Sequence, residues 1–128
     1  ELRGSVGYPE GTYPLIDAVI RAARDAAFND PRFKVVKKNG LQQLKIRIDI
    51  LSKFKQTSIR GIKPRKHGIY VKYGPFKALQ LPEDAKKFKW TAKEMVQGAL
   101  RKAGLAAEMW NGKNVRIYTF TAKAFEEK

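Results

Sequence analysis

The chain has 128 residues, 43% of them apolar, no cysteine, and a formal net charge of +15 from 27 basic and 12 acidic side chains. That length suits one domain rather than two. The composition excludes disulfides, thiolate catalysis and cysteine zinc sites, and no apolar run approaches the ~20 residues that span a bilayer.

Taken in order, Leu2 to Gly7 reads as a short strand ending in a tight turn, with Gly4 and Gly7 bracketing Ser5 and Val6. Tyr8 to Tyr13 is loop. Pro14 then opens a helix, because its missing N–H costs nothing in the first turn. Leu15, Val19, Ala22, Ala23, Ala26 and Ala27 recur at helical spacing, and Pro31 sets the end near Asn29. Lys45 to Leu51 alternates, with Ile46, Ile48 and Ile50 on one face and Lys45, Arg47 and Asp49 on the other, as a half-buried strand does.

Phe54 to Gly61 is undecided, and Lys63 to Gly68 is a basic turn. Ile69–Tyr73 and Phe76–Leu81 are two short strands around Gly74-Pro75, a hairpin or bulged corner. Thr91 caps a second helix, with Glu94 completing a capping box. Met95, Val96, Ala99, Leu100 and Ala103 face inward, and Gly104 is the stop. Val115 to Ala122 is a final strand. Strands run in groups rather than alternating strictly with helices. The expected architecture is therefore α+β, a single domain over 1–128 with a mainly antiparallel sheet and two principal helices.

The charge is uneven. Between Arg32 and Lys72 stand thirteen basic residues and one acid, Asp49, a net +12 that leaves +3 for the rest of the chain. Such a surface attracts polyanions, and a lysine-rich solvated surface has the same composition. The candidate nucleic-acid contacts are Lys53, Lys55, Arg60, Lys63, Arg65 and Lys66, which cluster between strands; Lys45 and Arg47 lie on a polar strand face and could serve as well.

Several stretches resemble one family. Leu2-Arg3-Gly4-Ser5-Val6-Gly7 is similar to the Leu-Arg-Gly-Cys-Ile-Gly signature of the AMMECR domain family. Tyr13-Pro14-Leu15, Asp30-Pro31-Arg32-Phe33, Gly68-Ile69-Tyr70-Val71, Leu79-Gln80-Leu81-Pro82 and Lys102-Ala103-Gly104-Leu105 resemble further family segments in the same order. So do Trp110 and the closing Tyr118-Thr119-Phe120-Thr121-Ala122. Family members carry some tens of residues before the signature, so the chain reads as amino-terminally incomplete. Ser5 stands where the family has cysteine, which removes the easily formed thiolate. The resemblance implies a signature cleft with a ligand-binding role for Arg3, Gly4, Ser5, Val6 and Gly7. It also implies an archaeal-like setting and a shared modification pathway with Memo-type and radical-SAM-type proteins.

The residues themselves leave alternatives open. Arg3 could grip a phosphate or carboxylate in two-pronged fashion, or pair with an internal acid. Asp30 and Arg32 flank Pro31 either as a ligand-facing turn or as a helix stop with a local ion pair. His67, the one histidine, reads as an exposed side chain and not a metal ligand, since zinc sites usually take three or four ligands. Tyr70, Tyr73, Phe76, Phe88 and Trp90 interleave with lysines, as stacking platforms do, but such residues also fill cores. No phosphate loop, dinucleotide fingerprint, zincin helix or serine-hydrolase elbow occurs, and no cofactor or metal is expected.

Three functional readings follow. The first is a domain binding an unidentified ligand or protein partner at the signature. The second is an RNA- or DNA-binding module using the basic stretch, and the third is an enzyme acting at the signature. The absence of a basic segment ahead of an apolar one gives the expected setting as cytoplasmic, with no membrane. Gly4→Val and Gly7→Val are both expected to disturb the site more than Ser5→Ala.

Overall fold

A computed structural model describes all of residues 1–128. The chain forms two units: Glu1–Ile48 with Phe125–Lys128, and Asp49–Ala124. It passes from the first to the second within β1 (Arg47–Leu51) and back within β6 (Ala122–Glu126), and these strands pair in a two-stranded sheet.

The first unit is built on α1 (Leu15–Phe28). Pro14 sits just ahead of it with ψ 151, and Asp17 in the first turn complements the helix dipole. At the far end the Asn29 N–H donates to the Asp25 carbonyl, and the chain then turns at Asp30-Pro31. Ala18, Val19, Ala22, Ala26 and Ala27 are half-buried, whereas Leu15, Ile16 and Ile20 are exposed, Ile16 by 75%. Leu15 therefore does not share the inward row that its spacing suggests. Val36 donates back to the Ala27 carbonyl at 3.0 Å, and a 3-10 turn covers Lys38–Gln43. Leu2–Gly7 is not the expected strand. Side chains, rather than a neighbouring strand, satisfy Ser5 on both its N–H and its carbonyl. The alternation expected from Lys45 also fails at its start, where Ile46 is 48% exposed.

The second unit is an antiparallel sheet of order β2-β5-β3-β4, made of Lys55–Thr57, Arg116–Phe120, Gly68–Tyr73 and Phe76–Gln80. Period-two alternation gives it two apolar faces. Ile69, Val71 and Ile117 join Met95, Val96, Ala99 and Leu100 of α3 (Ala92–Lys102) in the buried core. Each of these side chains larger than alanine contributes about 1.5–3 kcal/mol on burial. On the opposite side, Tyr70 lies 5.1 Å from the Phe54 ring and 6.2 Å from Tyr118, and Phe54 lies 5.2 Å from Phe120. Gly68 pairs with Phe120, and a Cβ there would lie 2.3 Å from the Phe120 ring, so the aromatic face requires the glycine.

Local chemistry sets the ends. Tyr73 pairs with Phe76 across Gly74-Pro75, a two-residue hairpin loop. Gly74 takes φ +56 while Pro75 holds its own φ negative, the pattern of a type II′ turn. Thr91 Oγ1 accepts from the Glu94 N–H and Glu94 Oε1 accepts from the Thr91 N–H, as the capping box predicts. Gly104, at φ +84, ends α3: its N–H goes to the Arg101 carbonyl and that of Leu105 to Leu100, a Schellman pair.

A third helix, α2 (Pro82–Phe88), lies outside the sequence expectation of two. It ends at Lys89 in the left-handed region, φ 53 and ψ 43, where a non-glycine residue carries roughly 1–2 kcal/mol of strain. The expected strand 115–122 is two elements, β5 and β6. They break at Thr121, whose N–H donates to Ser52 Oγ and whose carbonyl accepts from the Ser52 N–H. No helix is long and apolar enough to cross a membrane.

Candidate functional site

Asp30 organises the amino-terminal loop. Its carboxylate accepts four hydrogen bonds: the Ser5 N–H at 2.9 Å, the Arg32 N–H at 3.0 Å, Arg32 Nε at 3.0 Å and Arg32 Nη2 at 2.7 Å. Arg32 Nη2 also donates to the Ser5 carbonyl at 3.3 Å. The Asp30 side chain is only 3% exposed while that of Arg32 is half exposed, so a buried charge is met by a forked donor reaching in from the surface. The Arg32 guanidinium, followed by the Ser5 N–H, holds the Asp30 carboxyl far below the usual carboxylate range. Asp30 and Arg32 thus form a local ion pair that also holds the signature, beyond the simple helix stop.

The five signature residues divide by role. Gly4 is pressed on α1: a Cβ there would lie 2.1 Å from the Ala26 carbonyl oxygen, which no side-chain motion can relieve. Gly7 has nothing within 4 Å of a hypothetical Cβ and a φ outside the left-handed region, so the expectation that it too is constrained is corrected. Val6 is half-buried and Ser5 exposed. Ser5 has Asp30 beside it, but that carboxylate meets the backbone N–H and is held in its weakly basic ionised form.

Arg3 is the signature residue that lines a pocket. One Nη2 proton goes to the Lys34 carbonyl, the guanidinium lies 5.8 Å from the Phe33 ring, and Nη1 is buried with no hydrogen-bond partner. Arg3 lines a pocket of about 360 Å³ together with Glu1, Val36, Lys37, Gly40, Gln43 and Leu44. Lys37 belongs to the basic stretch but carries no signal of its own in the sequence. The loop beyond is pinned to α1: Tyr8 donates to Asp25 at 2.5 Å, and Arg21 stacks 4.4 Å from the Tyr13 ring.

Lys53, Lys55, Arg60, Lys63, Arg65 and Lys66 are all exposed in the second unit. Lys45 is exposed too, while Arg47 is engaged with Glu126 at 3.1 Å. His67 is half-buried rather than exposed: its Nδ1 accepts the Lys63 N–H at 3.1 Å and so shapes the basic turn. Burial, then the charges of Lys66, Lys63 and Lys55, lower its pKa. Tyr70 is core, and Trp90 packs partly against the core, whereas Phe76 and Phe88 are exposed. No cluster of three or more histidine or carboxylate side chains could hold a metal ion.

The family model described as AMMECR1 matches residues 1–125. Protein MJ0810 of Methanocaldococcus jannaschii is 34% identical, covering 99% of this chain and 67% of its own. Protein NEQ441 of Nanoarchaeum equitans is also 34% identical, over 99% and 74%. The crystal structure of the uncharacterized protein PH0010 from Pyrococcus horikoshii superposes with a TM-score of 0.93 at 32% identity, covering 98% of this chain and 65% of that one. The chain therefore spans about two thirds of the length of PH0010.

Two outcomes are expected. Gly4→Val should destabilise the fold by about 1–3 kcal/mol through overpacking, whereas Gly7→Val and Ser5→Ala should melt like the parent; equal melting of both valine variants would remove the Gly4 contact as a constraint. For Asp30 the sign follows from its lowered pKa. Its stabilisation is complete above the ordinary carboxylate value near ~4 and is lost as pH falls from there toward the depressed folded value. Asp30→Asn should therefore lower the melting temperature at pH 7 and flatten the acid loss of stability below about pH 4. An unchanged acid limb would show that Asp30 does not carry it.

Proposed function

The chain belongs to the AMMECR1 family, and we propose that its amino-terminal loop binds an anionic group, a carboxylate or phosphate presented by a small ligand or a protein partner. The observation that carries this reading is Arg3, which lines a pocket with an unpartnered guanidinium nitrogen. A buried donor without an acceptor is unfavourable by about 1–3 kcal/mol, and a small rotation of the guanidinium would bring Nη1 to an anion in the pocket. Lys37 adds a second cation on the same lining, against the single carboxylate of Glu1. The Asp30–Arg32 pair fixes the loop on which Arg3 stands and is itself internally neutral. With Ser5 lacking an activating base, binding is favoured over covalent catalysis at this position.

Nitrogen-resolved NMR during titration with inorganic phosphate tests this. The Arg3 side-chain and Lys37 amide signals should move together and saturate. Arg3→Gln should weaken binding roughly 10- to 100-fold, the loss of charge-assisted hydrogen bonds. Phosphate that leaves both signals in place would sink the reading.

A second reading rests on a different observation: the six candidate cations of the second unit are all exposed. If they contact nucleic acid, log K should fall with log salt at about −0.9 per phosphate on duplex DNA, and less steeply on single strands. Replacing Lys63, Arg65 and Lys66 with glutamate together should flatten that slope and weaken binding evenly across sequences. Anisotropy with short RNA and DNA that shows no tighter binding than a lysine-rich control protein would leave a solvated basic surface.

A further inference from the structure

The basic turn and the end of α2 border an open pocket of about 410 Å³ in the second unit. Its apolar lining is Ile62, Ala85 and Trp90, and its cations are Lys63, Arg65, Lys66 and Lys89. No carboxylate lines it. Four positive groups without a counter-charge around one cavity favour a multiply charged anion over a single carboxylate. The volume falls within the ~300–1,000 Å³ of small-molecule sites.

Three features show that the lining is held in place. Trp90 is stacked on Phe88, with ring centroids 5.1 Å apart and an interplanar angle of 27°. Under its edge lies Gly98 of α3, where a Cβ would sit 2.9 Å from the indole, so a glycine in mid-helix makes room for the ring. The turn that carries Lys63 to Lys66 is closed by the Lys66 and His67 N–H groups on the Lys63 carbonyl, and by the Lys63 N–H on the His67 ring. Lys89 is the most telling. It is the one non-glycine residue at positive φ, at the end of a helix, where glycine would sit without strain. A strained backbone residue at a pocket rim is a mark of function when the strain places a working group; here it places a lysine on a lining with three other cations and an indole.

We propose that this pocket binds a small ligand that joins a planar ring to a phosphate, a mononucleotide in size and chemistry. The phosphate lies among the cations and the ring against the Trp90 side of the lining, since aromatic contact and charge-assisted hydrogen bonds are what these two sets of residues offer. The site is independent of the Arg3 pocket, which lies in the other unit. It also differs from an extended nucleic-acid surface, because a cavity of this size takes one ring and its phosphate.

Calorimetric titration with adenosine 5′-monophosphate, adenosine and inorganic phosphate tests the proposal. The monophosphate should bind at least about tenfold tighter than either part alone. Arg65→Ala should weaken it about tenfold, as loss of a charged hydrogen bond does. Lys89→Gly should weaken it similarly while raising the melting temperature, because it removes the ammonium and relieves the backbone together. A purely structural Lys89 would give the second effect without the first. The proposal is overturned if the monophosphate binds no tighter than phosphate, if adenosine binds as tightly as the monophosphate, or if Lys89→Gly leaves its affinity unchanged. It is equally overturned if a short oligonucleotide binds where the monophosphate does not, which would favour the extended basic surface instead.

Discussion

A buried carboxylate needs donors, and Asp30 takes four of them from two residues far apart in sequence. That requirement gives the amino-terminal loop its form. The Ser5 backbone is drawn to Asp30, Gly4 is thereby laid on the helix carbonyl of Ala26, and Arg32 closes the ring by reaching the Ser5 carbonyl. Arg3, next to Gly4, is left lining a pocket with one guanidinium nitrogen buried and unpartnered. Removing one partner from such a network leaves a desolvated charge, so its members stand or fall together.

The excess positive charge acquires meaning only through placement. Arg32, at the head of the basic stretch, is neutralised by Asp30, and Arg47 by Glu126. Of the remaining cations in the stretch, Lys37 joins the Arg3 lining and Lys63, Arg65 and Lys66 stand in the turn before β3. Charge spread over a surface steers anions weakly and is screened by salt; charge gathered on the wall of a cavity with an apolar floor acts at close range. The same composition that suggests a polyanion partner is thus equally compatible with the single-anion sites proposed above.

Local signals were the legible ones. The capping box at Thr91 and Glu94, the glycine stop at Gly104 and the Gly74-Pro75 turn each depend on a few adjacent residues, and each holds. Helix α2 carried signals too, with Pro82 at its start, Glu83 and Asp84 in its first turn and Lys86 and Lys87 in its last. It was missed because Leu79-Gln80-Leu81 reads as strand up to the proline and seven residues leave little room for periodicity. What the sequence does not show is pairing at long range. Nothing near Gly4 names Ala26, nothing near Gly98 names Trp90, and nothing near Gly7 says that its surroundings are open. The signature stands out in the sequence, but its division into a packed glycine, a clamped backbone and a pocket-lining arginine requires the fold.

The five largest fully buried side chains, Ile69, Val71, Met95, Val96 and Leu100, all belong to β3 and α3. In the first unit Val36 is the buried hydrophobic residue, and α1 contributes none while showing Ile16 and Ile20 to solvent. Amide hydrogens report this difference directly, because each exchanges through the cheapest opening available to it. Those of β3 and α3 are therefore expected to need a larger opening to exchange than those of α1. The helix that bears the contact surface for Gly4 thus has no fully buried side chain of its own, so its amides are expected to respond to a change in the neighbouring loop before those of the sheet do.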